Sequence, residues 1–231
     1  MVAVTTRTGE AVAGVDGVPG GWVVAVVEAG GAVSWHACAD AAEVLARTAG
    51  CAAVGVDVPI GLPAAAPREC DLLARRRLGR ARSSVFLAPV RAVLAAGSHP
   101  QACEVSRAAA GAAISIQAWG IVPKIREWDA AEFDGDRVLE VHPEVAFRAM
   151  APGTAFERKK NARGAGQRIA ALRGFADAGA ALAGAPASAG VDDALDALAC
   201  AWTARRWAAG EAEQLGGDRD PVSGRRMRIV V

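Results

Sequence analysis

The chain has little that would tie it to a metal–thiolate scaffold. Its five cysteines, Cys38, Cys51, Cys70, Cys103 and Cys200, are scattered and odd in number, and no two form a Cys-x-x-Cys pair. That pattern argues against a disulfide framework and a zinc cage, and a reducing compartment is its simplest setting. The three histidines, His36, His99 and His142, also lack metal-ligand spacing. Net charge is nearly absent, since 26 basic residues face 25 acidic ones for a total of +1. Overall charge therefore cannot drive binding to nucleic acid or to a membrane, and only local patches remain for that purpose. No run of about 18 or more strongly apolar residues occurs, so no membrane span is expected. Met1–Glu10 has no basic segment followed by an apolar one, so no leader is expected either. Together these absences predict a soluble, cytoplasmic protein without a membrane partner.

What is present is core-forming material. Of 231 residues, 52% are hydrophobic and 22% charged, enough to bury a sizeable interior. No linker or repeat divides the sequence, and a single domain over residues 1–231 is expected. Val12–Asp16 reads as a strand, and the apolar run Trp22–Val27 as a strand buried on both faces. Gly30-Gly31 turns the chain into a third strand, Ala32–Ala37. Asp40–Thr48 has helical spacing, and Cys51–Val58 is the next strand. Residues 64–135 break this rhythm as a mostly helical insert. Arg137–His142 resumes the sheet, and helices over Glu144–Met150, Ala162–Ala178 and Val191–Ala209 follow. A polar tail closes the chain, with a short edge strand at Arg228–Val231.

Acidic residues stand where strands should end. Ala13-Gly14-Val15-Asp16 and Val54-Gly55-Val56-Asp57 carry the same pattern. Alternation puts each aspartate on the face of the glycine two positions earlier, a face thin enough for another element to approach. If the strands are neighbours, Asp16 and Asp57 point into one place; the plainer alternative is that each merely starts its turn. Glu140 lies within an apolar run, where an unpaired buried acid is costly and an edge strand would leave it solvated. On the last helix, Asp193 and Asp196 lie one turn apart with no basic residue four positions on. Their repulsion asks for an external partner, although Asp192 and Asp193 also suit a helix N-terminus. Converging carboxylates without imidazole or thiolate favour Mg²⁺ or Mn²⁺. Two such ions about 3.5–4 Å apart can stabilise the attacking and leaving oxygens of a phosphoryl transfer.

These blocks resemble the RNase H-like nuclease superfamily, and more narrowly the family catalogued as domain of unknown function 429, a predicted RNase H-like nuclease family. The matching residues are Gly14-Val15-Asp16-Gly17 with Gly20-Gly21-Trp22, then Asp57-Val58-Pro59-Ile60-Gly61-Leu62. Arg82-Ser83-Ser84-Val85-Phe86, Gln117-Ala118-Trp119, Pro123-Lys124-Ile125, Glu140-Val141-His142-Pro143-Glu144 and Asp192-Asp193-Ala194-Leu195-Asp196-Ala197 complete the set. The resemblance implies an α/β fold. Its sheet is mixed and five-stranded, three antiparallel strands then parallel ones, with helices on both faces and a helical insert. It also implies metal ligation by Asp16, Asp57 and Asp193 or Asp196, with Glu140 as a further catalytic acid.

For a nucleic-acid substrate, the densest basic stretch is Arg75-Arg76-Arg77 with Arg80 and Arg82. Arginine forks suit phosphate oxygens, and Ser83 adds a hydroxyl. Such a run also suits a solvated helix face. Lys124 lies beside Trp119 and Trp128, and Lys160 belongs to a second cluster with Lys159, Arg163 and Arg168. The expected activity is metal-dependent cleavage of DNA or RNA phosphodiesters. Two other classes share the opening strand order: a nucleotide-dependent phosphotransferase of the actin and sugar-kinase type, and a non-catalytic nucleic-acid-binding module. The first needs hydroxyl donors in the turn after the first aspartate, where Gly17-Val18-Pro19-Gly20-Gly21 has none.

Overall fold

The computed structural model describes residues 10–231. The leaderless reading of the N-terminus rests largely on residues 1–9, which lie outside that range. The chain begins with strands β1 (Val12–Val18), β2 (Gly21–Val27) and β3 (Val33–Cys38), then helix α1 (Ala41–Arg47) and strand β4 (Val54–Val56). Helices α2 (Glu69–Leu78), α3 (His99–Ala110), α4 (Ile116–Gly120) and α5 (Val122–Ala130) follow, with 3-10 turns at Gly79–Ser84 and Arg91–Ala95. Strand β5 (Val138–Glu140) leads into α6 (Pro143–Met150), α7 (Ala162–Leu172), α8 (Ala178–Leu182) and α9 (Val191–Ala208). Strands β6 (Gln214–Arg219) and β7 (Arg226–Val230) end the chain. No helix among the described residues is long and apolar enough to cross a membrane.

Two compact units emerge. The first comprises the described residues up to Asp57, then Asp136–Glu213 and Val230–Val231; the second comprises Val58–Gly135 and Gln214–Ile229.

The first unit is built on a five-stranded sheet of order β3-β2-β1-β4-β5. Strands β1, β2 and β3 pair antiparallel, and β1, β4 and β5 pair parallel. This is the mixed α/β sheet that the sequence pattern predicts. Every residue of β2 is buried, as its unbroken apolar run requires. Helix α9 crosses β1 so closely that glycine is obligatory beneath it. A Cβ on Gly14 would lie 1.9 Å from the Ala197 carbonyl oxygen, and one on Gly55 would lie 2.4 Å from that of Cys200. Leu195 and Leu198 of α9 join Val12, Val23, Leu139 and Phe147 in the core on this face. Helix α1 packs along β3 and β2, burying Ala41 and Val44 outside that cluster, so helices cover both faces. Asp40 caps α1 by accepting from the Glu43 amide at 2.9 Å, while Glu43 accepts from the Ala39 amide at 2.9 Å. That reciprocal pair satisfies two amides at the helix start.

In the second unit the helical stretch around Gln117–Phe133 is divided into α4 and α5 after Gly120, with Pro123 in the first turn of α5, where a missing amide costs no helix bond. The tail is more structured than its polarity suggests, because β6 and β7 form a two-stranded sheet. Asp220 organises the link between them: its carboxylate accepts from the Val222 and Ser223 amides at 2.9 and 3.2 Å and from the Leu62 amide at 2.9 Å. Arg91 donates to this same carboxylate and, at 2.7 and 2.9 Å, to Asp129. Arg68 and Asp71 form a second buried pair at 2.5 Å.

Candidate active site

Strands β1 and β4 lie side by side with Val15 opposite Val56, and the Asp57 amide donates to the Val15 carbonyl at 3.0 Å. Asp16 and Asp57 therefore stand one position past that rung, Asp16 two residues before the end of β1 and Asp57 just beyond the end of β4, on adjacent strands about 4.8 Å apart. Side-chain alternation places both on the Gly14 and Gly55 face, beneath α9. Asp196 sits on α9 immediately before Ala197, whose carbonyl lies over Gly14, so the helix delivers its carboxylate to the same place. The thin glycine faces thus do two things at once: they admit the helix backbone and bring three distant acids together.

The electrostatics record that meeting. Burial raises the Asp16 carboxyl well above its ordinary value, and repulsion from Asp57 and Asp196 raises it further; Lys159 and the Gly17 amide, at 2.7 Å, oppose this. Asp57 is pushed up to about 8 by burial and then by the charge of Asp196. Part of its surface reaches solvent, yet protein surrounds it on nearly every side, so its charged form is poorly solvated. Asp196 rises to about 6 through burial, with Lys159 holding it back by charge and by a hydrogen bond. Its Oδ1 is buried and accepts no hydrogen bond. Cys200, one turn further along α9, is held as a thiol by burial and by the three aspartates.

Lys159 supplies the counter-charge. Its Nζ lies 2.5 Å from Asp196 Oδ2 and 3.8 Å from Asp192. Burial alone would lower its pKa, but attraction to Asp196, Asp16 and Asp57 more than compensates and raises it. The loop carrying Lys159 is pinned two residues earlier: Arg168 donates to the Glu157 carbonyl at 2.9 Å, and Gln167 accepts from the Glu157 amide at 2.8 Å. Buried Arg168 also grips Glu144 at 2.6 and 2.9 Å and lies over the rings of Phe147 and Phe156. Among the described residues, no group of three His, Cys, Asp or Glu side chains is arranged to hold a metal ion as it stands.

The other residues singled out from sequence are placed as follows. Asp193 turns back onto the Gly190 amide at 2.9 Å and closes the first turn of α9. Glu140 is buried on the rung of Val56, so alternation puts it on the opposite sheet face from Asp16 and Asp57; its repulsion still adds to the Asp57 shift. Lys160 is 81% exposed and reaches Asp192 at 3.9 Å. Arg75, Arg76, Arg80, Arg82, Ser83 and Lys124 belong to the second unit. Arg76, Arg80, Arg82 and Ser83 are exposed, and Lys124 is half-buried on α5. Trp128 is core, and Arg126, spent on the Leu94 and Ala96 carbonyls, lies over the Trp119 ring.

Sequence reasoning did not single out Lys159, Glu144 and Arg168 as a unit. The basic cluster around Lys159 was visible, but residues 151–161 carry no periodicity from which one lysine could be chosen. Glu144 was legible as a first-turn helix acid and is in fact also the partner of Arg168.

No curated protein and no solved structure matches this chain. A family model described as "Protein of unknown function (DUF429)" matches residues 14–220, a span that contains Asp16, Asp57, Lys159 and Asp196. The chain therefore belongs to the DUF429 family.

Proposed function

We propose that the first unit is the catalytic body of a metal-dependent nuclease of the RNase H-like type, in which Asp16, Asp57 and Asp196 hold Mg²⁺ or Mn²⁺ and a nucleic-acid phosphodiester is hydrolysed. The observation that carries this reading is a surplus of buried carboxylate: three aspartates share one lysine, and Asp196 keeps an unsatisfied buried oxygen. An oxygen-only donor set with raised pKa values and an orphaned acceptor suits a hard divalent cation. The sheet order supports the reading, because three antiparallel strands followed by parallel ones is what the RNase H-like resemblance implies.

A divalent cation supplies Lewis-acid polarisation of a phosphoryl oxygen and makes water acidic enough to attack at neutral pH. The chain's own residues do the rest. Asp16 is oriented by the Gly17 amide, and Asp57 is fixed by the ladder bond that its own amide makes to Val15. Lys159 neutralises Asp196, and its ammonium would also bear on a non-bridging phosphate oxygen of a bound substrate, where charge accumulates in the transition state. Glu144 and Arg168 hold the Lys159 loop at Glu157.

The test is cleavage of single-stranded DNA, duplex DNA, RNA and DNA–RNA hybrid with Mg²⁺ or Mn²⁺, with metal affinity measured by calorimetry. Cleavage that stops in chelator and in Asp16→Asn and Asp196→Asn is expected. No cleavage of any substrate in either metal overturns the proposal. The existing Lys159–Asp196 pair favours a second reading, a non-catalytic nucleic-acid-binding module. That module would bind with a steep salt dependence, unchanged in Asp16→Asn.

A further inference from the structure

The second unit contains a cleft that the hydrolytic reading does not use. Its volume is about 290 Å³. Val90, Ile114 and Ala118 form its inner wall, and Phe86 stands at the rim, 47% exposed. Arg75 is the sole charged residue in its lining among the described residues. Arg75 Nε donates to the Val85 carbonyl at 3.0 Å, which sets the plane of the guanidinium. No other hydrogen bond or ion pair of Arg75 forms among the described residues, so its terminal amino groups remain available.

Polar groups inside are few and mostly committed. Ser106 Oγ donates to the Ala112 carbonyl at 2.7 Å, and Ser115 Oγ accepts from the Ala118 amide at 3.1 Å. A ligand rich in donors and acceptors would lose its water partners here without replacement, whereas an apolar one would not. The charge that the lining presents has one sign, that of Arg75, and Asp71, one turn earlier on α2, is consumed by Arg68. A half-buried guanidinium with free amino groups is matched by a carboxylate or phosphate.

We propose that this cleft binds a small amphipathic anion: an apolar body of roughly ten non-hydrogen atoms, at about 30 Å³ each, with one carboxylate or phosphate seated on Arg75. The carboxylate and the phosphate ester share that chemistry, and separate probes distinguish them. The site lies wholly in the second unit and does not depend on the aspartates of the first.

Calorimetry on the full chain tests this with octanoate, phenyl phosphate and the uncharged analogue 1-octanol. At least one anion should bind, and octanoate or phenyl phosphate should be preferred over octanol by tenfold or more. Arg75→Gln should abolish that preference while leaving the octanol affinity within twofold. Ala113→Trp, which fills the cleft from an exposed rim position, should weaken all three probes at least tenfold and remains decisive if Arg75→Gln does not fold. Asp196→Asn should leave anion binding unchanged, which separates failure here from failure of the nuclease reading. Absence of binding by both anions, retention of the acid preference in Arg75→Gln, or tighter binding of adenosine monophosphate than of octanoate would overturn the proposal.

Discussion

Asp57 in the first unit and Asp220 in the second are both aspartates enclosed by protein, yet their carboxyl groups are pushed in opposite directions. Burial is the largest influence on each and raises both. For Asp57 the neighbours add to that rise, since Asp196, Glu140 and Glu144 are all acids and Lys159 alone opposes them. For Asp220 the neighbours reverse it: Arg91 and the amides of Leu62 and Val222 take the carboxyl below its ordinary range. A matched buried carboxylate of the second kind holds a turn in place. An unmatched set of the first kind lowers the stability of the folded chain, and such a cost is characteristic of a site kept for binding.

The sharpest way to break this contrast is to neutralise one acid of each kind. Asp57→Asn should reduce metal-dependent cleavage by about a thousandfold, roughly 4 kcal/mol of barrier, in single-turnover assays. Its melting temperature at pH 8 without metal should not fall, because the substitution removes a charge that the fold solvates poorly. Asp220→Ala should do the reverse. Breaking its buried pair with Arg91 should cost about 3–5 kcal/mol in denaturant titration while leaving metal affinity in the first unit unchanged.

A second comparison concerns close approach. Gly14→Ala would press a methyl group against the backbone of α9, which cannot rotate away as a flexible side chain could. A loss of about 3 kcal/mol is expected. Gly30, with open space around its Cβ position, should accept alanine with much less loss.

The pH dependence should also divide the two carboxylates. Asp57, raised to about 8, contributes stability that is complete below the usual carboxylate pKa and disappears as pH rises towards 8. Asp220, lowered, contributes stability that is present above the usual carboxylate pKa and is lost as pH falls below it. Denaturation midpoints against pH should therefore show a decline towards pH 8 that Asp57→Asn makes shallower, Asp16 and Asp196 contributing the rest, and an acid-side decline that Asp220→Asn makes shallower. The smallest effect belongs to Lys160→Ala. Its pair with Asp192 is exposed, and a change within about 0.5 kcal/mol is expected by the same titration.

How much of this was legible varies by element. The repeated Gly-x-Asp pattern at residues 14–16 and 55–57 put both acids on one strand face, because period-2 alternation is a local property of any strand; it located the end of β4 but not that of β1, which runs on to Val18 in its hairpin with β2. The mid-helix position of Asp196 was legible for a similar reason, since one-turn spacing follows from helix geometry. Asp193 was ambiguous because a first-turn acid and a ligand look alike until the Gly190 amide is seen. Glu140 could be placed on a strand, but its face relative to Asp57 depends on register, which is set between strands rather than within one. The strand at Arg228–Val231 was legible from its apolar residues, whereas its partner β6 was hidden by polarity, and Asp220, which follows β6, meets Arg91 129 positions away.

Sequence alone determined the order of the first five strands along the chain, the glycines beneath the last helix and the acids that share their strand face, all consequences of short-range periodicity. Tertiary structure alone decided which cation meets those acids. Lys159 reaches Asp196 across 37 positions, and its loop is held by Arg168 rather than by any local pattern. Charge pairing acts through space, so its partners are known only once the chain has folded.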